Sequence, residues 1–111
     1  MKNNYLLFFL SCFFGLNAFA ALLLPAPVAP ANFSVNQTPN VLIDWSASTG
    51  QTYYELKYGT DPLLQTGVQM ASPTASSFTT SELLFGTVYY WKVRAMSATD
   101  SSAWSAISQF T

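Results

Sequence analysis

The alternating segment from residue 89 to residue 95 limits the possible folds more than any other stretch of the chain. Apolar and aromatic residues occupy one parity, namely Tyr89, Trp91, Val93 and Ala95. The intervening positions hold Tyr90, Lys92 and Arg94. A two-residue period built from aromatic and β-branched side chains is typical of a β-strand that buries one face. We therefore predict a strand whose first set of side chains points into a hydrophobic core.

Six further segments are predicted as strands, and they follow one another at the ~8–12-residue spacing of an all-β sandwich. In chain order they are residues 30–35, 41–45, 53–58, 64–70, 78–80 and 104–111. In the last segment Ile107 breaks the parity that Trp104 and Phe110 share, which indicates either a β-bulge or an edge contact. The core-facing residues expected outside the 89–95 segment are Phe33, Val35, Val41, Ile43, Trp45, Tyr54, Leu56, Tyr58, Phe78, Leu83 and Phe110.

Two motifs carry a resemblance to a known family. Residues 83–89 contain Leu-x-x-Gly-Thr-x-Tyr, and residues 54–62 read Tyr-x-Leu-x-Tyr-Gly-Thr-Asp-Pro. The first motif resembles the corner before the penultimate strand of fibronectin type III domains, and the second resembles the third strand and following turn of many bacterial members. The resemblance implies an immunoglobulin-like β-sandwich of about seven antiparallel strands over residues 30–111. It also implies that the Tyr89 hydroxyl bonds back to upstream backbone.

The first twenty residues have the composition of a secretory signal. Lys2 precedes a long apolar run, and Ala18-Phe19-Ala20 supplies the small residues of a cleavage site. We predict a helical signal peptide over residues 1–20, cleavage after Ala20, and a secreted, extracellular or periplasmic location. An uncleaved membrane anchor is the alternative, because the apolar run continues to Leu24. Residues 21–29, rich in Pro and Ala, are expected to form an extended spacer.

Composition excludes several classes of function. The chain has 111 residues, 8% of them charged, and a formal net charge of −1, so one domain without a nucleic-acid-binding footprint is expected. It has no histidine, and Cys12 is the single cysteine. A disulfide within one chain and a Cys/His metal site are therefore excluded.

The sequence also lacks the residues of a catalytic site. With no histidine, and no cysteine beyond the signal segment, the usual pairs of nucleophile and base are missing. The remaining acids are too dispersed to act as a pair of carboxylates across a cleft. These acids are Asp44, Glu55, Asp61, Glu82 and Asp100. We therefore expect neither enzymatic activity nor a cofactor nor a metal.

One outward surface is a candidate binding site. In the resembled fold the strands 53–58 and 89–95 are neighbours, so their outward residues share a face. Tyr53, Tyr90, Lys92 and Arg94 are the candidate binding residues on it, because tyrosine and arginine are enriched at binding hot spots. The alternative, which the sequence alone favours, is a solvated face with an ion pair between Glu55 and a basic neighbour.

The resulting functional hypothesis is a non-catalytic secreted or cell-surface module that serves as a spacer, an adhesion unit or a protein-interaction domain. One alternative is an N-terminal accessory module of a larger exported, polysaccharide-degrading enzyme. Another is weak carbohydrate binding through Tyr53 and Tyr90. The partner would be a protein or a polysaccharide, and contact with a membrane is expected only through an uncleaved anchor. Asn32 and Asn36 begin N-glycosylation triplets, which we interpret as chance matches.

Overall fold

The structure is a computed structural model that describes residues 22–111. The predicted signal peptide, its cleavage after Ala20 and the alternative membrane anchor lie outside the described residues. Between residues 22 and 111 no helix is long and apolar enough to cross a membrane.

Seven strands form two antiparallel sheets in this part of the chain. The strands are β1 (Pro27–Ala29), β2 (Leu42–Trp45), β3 (Tyr53–Gly59), β4 (Gln69–Ala71), β5 (Ser77–Thr79), β6 (Tyr89–Met96) and β7 (Ser108–Phe110). One sheet has the order β1-β2-β5 and the other has the order β4-β3-β6-β7. The predicted all-β sandwich is confirmed.

The core lies between the two sheets and is built around two tryptophans. The ring of Trp45, from β2, meets Tyr54 edge-on with centroids 5.4 Å apart and lies 6.3 Å from the ring of Trp91. Burial alternates along β6 as the sequence predicts, because every second side chain of a strand faces the same side. The buried core residues are Val41, Ile43, Trp45, Tyr54, Leu56, Tyr89, Trp91, Val93, Ala95 and Phe110.

The first strand lies earlier in the chain than predicted. β1 spans Pro27–Ala29, within the segment assigned to the spacer, and pairs with β2 through Pro27 opposite Trp45. The Ala26 N–H also donates to the Ser46 hydroxyl at 2.8 Å. Proline is acceptable here because β1 is an edge strand, where a missing N–H need not interrupt the sheet. The segment expected to be an extended spacer before the domain therefore belongs to the sandwich.

The prediction of a strand at 30–35 with Phe33 and Val35 in the core is wrong. These two side chains are 69% and 60% exposed. Phe33 and Asn36 adopt positive φ angles of 67° and 62°, which interrupt the extended backbone that a parity argument needs. The segment instead runs alongside the end of β7. The Phe33 N–H donates to the Gln109 carbonyl at 2.8 Å, and the Gln37 N–H donates to the Thr111 carbonyl at 3.0 Å.

The predicted strands 64–70 and 104–111 are shorter than expected. Leu64 is buried in a turn with a φ of 53°, and Gly67 has a φ of 59°, so regular pairing starts only at Gln69 in β4. In the last segment only Ser108–Phe110 forms a regular strand, β7. The stretch before β7 is irregular, as the break in its parity indicates, and it shapes the candidate site.

The corner before β6 contains the hydrogen bond predicted for Tyr89. The Leu84 N–H donates a hydrogen bond to the Tyr89 hydroxyl at 2.9 Å, and the Tyr89 ring stacks on Phe110 with centroids 5.8 Å apart. Gly86 has a φ of 64°, a conformation that glycine adopts without strain, and it allows the tight turn between these two residues. The bond implied for Tyr89 is confirmed.

Candidate binding surface on the four-stranded sheet

The outward faces of β3 and β6 form one continuous surface. Glu55 lies directly opposite Arg94, Lys57 opposite Lys92, and Gly59 opposite Tyr90. Side chains of directly opposed residues lie on the same face of a sheet and are close enough to interact. The residues next to these in the sequence point into the core. This surface therefore faces away from the interior of the sandwich.

The ion pair predicted for this face is present. The Arg94 Nη2 atom lies 2.6 Å from Glu55 Oε1, and Arg94 Nε donates to the same oxygen at 2.8 Å. Both side chains are partly buried. Glu55 therefore neutralises Arg94, and a pair of this exposure contributes about 0–1 kcal/mol to stability.

Trp104 lies at the centre of three basic side chains. The Arg94 guanidinium carbon lies 4.4 Å from the centre of the indole, and the Lys92 and Lys57 ammonium nitrogens lie 4.9 Å and 5.0 Å from it. Each distance is within the range of a cation–π interaction. We call Lys57, Lys92, Arg94 and Trp104 the cationic cluster.

Two serines place Trp104 over the sheet. The Ser102 N–H donates to the Ala95 carbonyl at 2.9 Å, and the Ser102 hydroxyl accepts from the Ala95 N–H at 2.9 Å. Ser105 makes the same two bonds with Val93, at 2.8 Å and 3.1 Å. Ser102 and Ser105 are three residues apart, whereas Val93 and Ala95 are two apart. The stretch between the two serines therefore holds one residue more than the β6 segment it bonds to, as in a β-bulge, and Trp104 in this stretch lies against the outward face beside Arg94.

The acidic residues lie mostly elsewhere. Residues 22–111 contain three basic and five acidic side chains, a formal charge of −2. Asp44 is on β2 in the other sheet, and Glu82 and Asp100 lie in connections between strands. Within the described chain, Glu55 is the one carboxylate in a salt bridge. The Lys57 and Lys92 ammonium groups therefore have no carboxylate partner there.

Asp61 is held by its own turn. Its carboxylate accepts hydrogen bonds from the backbone N–H groups of Gln65, Leu63 and Thr66 at 2.8, 3.1 and 3.0 Å. These bonds stabilise the charged form and lower the pKa of Asp61. The side chain thus fixes the turn after β3, which is the role expected for an aspartate at this position.

The structure unites only part of the predicted site. Lys92 and Arg94 meet at Trp104, but Tyr53 is opposite Met96 and Tyr90 is opposite Gly59. The two tyrosines are therefore at opposite ends of the strand pair, about 20 Å apart at the usual rise per residue. The site predicted from the sequence included neither Lys57 nor Trp104. The break in parity between Trp104 and Ile107 was the signal for that residue.

An open cavity at one end of the sandwich was not predicted. It has a volume of about 360 Å³ and lies beside the turn that joins β3 to β4. Its lining includes Tyr58, Gln69, Ser81 and Glu82. Burial raises the pKa of the Tyr58 hydroxyl, which favours its neutral form. No group of three or more potential metal ligands occurs among residues 22–111.

Comparison with known proteins identifies the fold. No family model matches the sequence, and no curated protein matches it. Among solved structures, an Fn3-like protein from Clostridium thermocellum is 22% identical with a TM-score of 0.63, covering 83% of this chain and 94% of that one.

Two human structures are similar to the same extent. The fn3 domain of the human collagen alpha-1(XX) chain is 19% identical with a TM-score of 0.63, and the match covers 81% of this chain and 84% of that one. A domain of human fibronectin type III domain containing protein 3 is 22% identical with a TM-score of 0.61, and the match covers 84% and 87%. The chain therefore has the fibronectin type III fold, as its motifs predict. Likeness at this level of identity establishes the fold alone.

Proposed function

We propose that this chain is a non-catalytic interaction module that binds a protein partner through the outward face of β3 and β6. The observation that carries the proposal is the pair formed by Lys57 and Lys92, which lie directly opposite each other without a carboxylate partner among residues 22–111. Like charges in directly opposed positions destabilise a sheet. A partner that supplies negative charge removes this cost.

A non-catalytic role agrees with the positions of the acidic side chains. Asp44 and Glu55 lie on different sheets, and Asp61 is engaged by its own turn. Hydrolytic chemistry with two carboxylates needs them to face each other across a substrate. The fold itself supports a spacing or interaction role.

A secreted or cell-surface location is part of the proposal. It depends on the N-terminal sequence, where Lys2, the apolar run and Ala18-Phe19-Ala20 have the order of a signal peptide. A module of this kind would act outside the cell, either alone or beside the domains of a larger exported protein.

Carbohydrate binding fits the surface less well than protein binding. Tyr53 and Tyr90 are too far apart to stack on a single sugar ring, given their positions at opposite ends of the strand pair. The Trp104 indole is surrounded by three basic side chains, so it offers no free aromatic platform. The charged centre of the face, rather than its tyrosines, is the better candidate.

Site-specific photo-crosslinking in the native host tests the proposal. A photoreactive phenylalanine analogue would replace Tyr90, which lies on the proposed face, in the full chain. The matched control replaces Val28, which is 57% exposed on the other sheet. We expect a discrete protein adduct from position 90 and none from position 28. Equal adduct yields from both positions, or none from position 90, would contradict the proposal.

A further inference from the structure

The cationic cluster indicates what kind of segment the partner presents. We infer that it is an acidic peptide segment, rich in aspartate and glutamate, whose carboxylates bridge Lys57 and Lys92. This inference rests on the proposed function and adds the chemistry of the partner to it.

Lys57 and Lys92 are the basic groups of this face with which a ligand carboxylate would pair.

 The Glu55 carboxylate already accepts two bonds from Arg94, at 2.6 and 2.8 Å, through a single oxygen. Lys57 and Lys92 remain side by side on neighbouring strands without an ion-pair partner in the described chain. A carboxylate placed between them would form two charge-assisted hydrogen bonds and remove their mutual repulsion.

Trp104 holds the two ammonium groups in place before a ligand arrives. Both nitrogens lie within 5.0 Å of the indole centre, and the indole is fixed by the bonds of Ser102 and Ser105 to β6. A lysine side chain on an open surface loses considerable rotational freedom when it binds a ligand. Because the indole already restricts both side chains, this loss is smaller here.

The positive charge is local to this face. Residues 22–111 carry a formal charge of −2, so the domain as a whole repels polyanions. Binding of an acidic ligand therefore requires the cluster itself, and its affinity should fall as salt screens the charges.

The surroundings favour a peptide over an acidic polysaccharide. Met70 of β4 lies directly opposite Lys57 and is 58% exposed, so the surface beside the lysines is apolar and flexible. An acidic peptide can place an apolar side chain against Met70, whereas an acidic polysaccharide has no such side chain and gains apolar contact mainly by stacking on an aromatic surface. The indole of Trp104 is covered by the three cations and does not supply one.

Isothermal titration calorimetry with defined probes tests the inference. The probes are a short peptide of alternating Glu and Leu, the same peptide with Gln in place of Glu, and polygalacturonate as the acidic polysaccharide. We expect the Glu peptide to bind at low salt, the Gln peptide to bind at least about tenfold more weakly, and polygalacturonate to bind more weakly than the Glu peptide.

Paired variants separate the cluster from net charge. Lys57→Gln/Lys92→Gln should weaken binding of the Glu peptide by about tenfold or more. Val28→Glu/Thr79→Glu changes the formal charge by the same amount on the other sheet, and should leave affinity within about twofold. Lys57→Arg/Lys92→Arg should retain binding. Circular dichroism of each variant confirms that it is folded.

Several outcomes would overturn the inference. They are undetectable binding of the Glu peptide, equal binding of the Glu and Gln peptides, equal losses in the two charge-changing variants, and tighter binding of polygalacturonate. A photo-crosslinked adduct at position 90 that persists in Lys57→Gln/Lys92→Gln would keep the proposed function and reject the acidic partner.

Discussion

Lys57 and Lys92 lie directly opposite each other on β3 and β6, and both ammonium nitrogens lie within 5.0 Å of the centre of the Trp104 indole. The neighbouring pair, Glu55 and Arg94, is neutral. The face thus combines one satisfied ion pair with one repulsive pair. The repulsive pair therefore leaves this face with positive charge that a partner can neutralise.

The repulsion predicts how salt affects stability. Screening weakens repulsion between exposed charges, so raising the salt concentration from about 20 mM to about 0.5 M should stabilise the wild type relative to Lys57→Gln. The size of this change should be a few tenths of a kcal/mol, as for other cross-strand charge pairs. Urea denaturation at several salt concentrations measures it. The interpretation would be contradicted if the difference in stability between wild type and Lys57→Gln did not change with salt, or if added salt stabilised the variant more than the wild type.

The corner tyrosine provides a second prediction. Tyr89→Phe removes the hydroxyl that accepts from the Leu84 N–H and keeps the ring that stacks on Phe110. We expect a loss of about 0.5–1.5 kcal/mol in the free energy of unfolding, the net value of one hydrogen bond. Tyr90→Phe is the matched control, since Tyr90 points outward from the next position on β6. Equal losses in both variants would show that the corner bond has no special role.

The contrast between the buried Trp45 and the outward Trp104 provides a third prediction. Trp45 is buried between the sheets against Tyr54 and Trp91, so Trp45→Ala should cost about 3–5 kcal/mol and largely unfold the domain. Trp104 lies on the outward face, and Trp104→Ala removes exposed cation–π contacts of about 0.5–1 kcal/mol each. Thermal unfolding followed by circular dichroism compares them. A nearly unchanged melting temperature for Trp45→Ala would contradict the core assignment.

The parts of the fold that follow a two-residue period could be predicted from the sequence. Along β2, β3 and β6 the side chains of Ile43, Leu56 and Val93 are buried as their parity indicates, because both neighbours on each strand point the other way. The corner was predictable from a motif, since the Gly86 turn and the Tyr89 hydroxyl form one local unit.

The remaining errors have a common physical cause. Phe33 is not of a residue type that favours a positive φ angle, yet tertiary hydrogen bonds to Gln109 and Thr111 hold its segment in such a conformation. The position of Trp104 depends likewise on the hydroxyls of Ser102 and Ser105, which accept hydrogen bonds from backbone N–H groups of β6. Hydrogen bonds to a different segment of the chain decide both features, and the periodicity within one segment carries no information about them.

The turn after β3 provides a prediction about pH. Backbone bonds from Gln65, Leu63 and Thr66 lower the pKa of Asp61 below its ordinary value in the folded state. A lowered folded pKa contributes stability above the unfolded pKa of about 3.9, and this contribution is lost as pH falls toward the folded pKa. Asp61→Asn should therefore be less stable than the wild type at neutral pH, and the difference should shrink below about pH 4. Urea denaturation across this range measures it, and a difference that is constant with pH would contradict the assignment.

The most direct measurement of the central claim is a residue-resolved NMR titration of the domain with the alternating Glu and Leu peptide. We predict chemical-shift changes concentrated at Lys57, Lys92 and Arg94 and at the indole N–H of Trp104. The amides of the other sheet, including Val28 and Thr79, should remain unchanged. Shifts spread evenly over both sheets, or centred on the β1-β2-β5 sheet, would contradict the account.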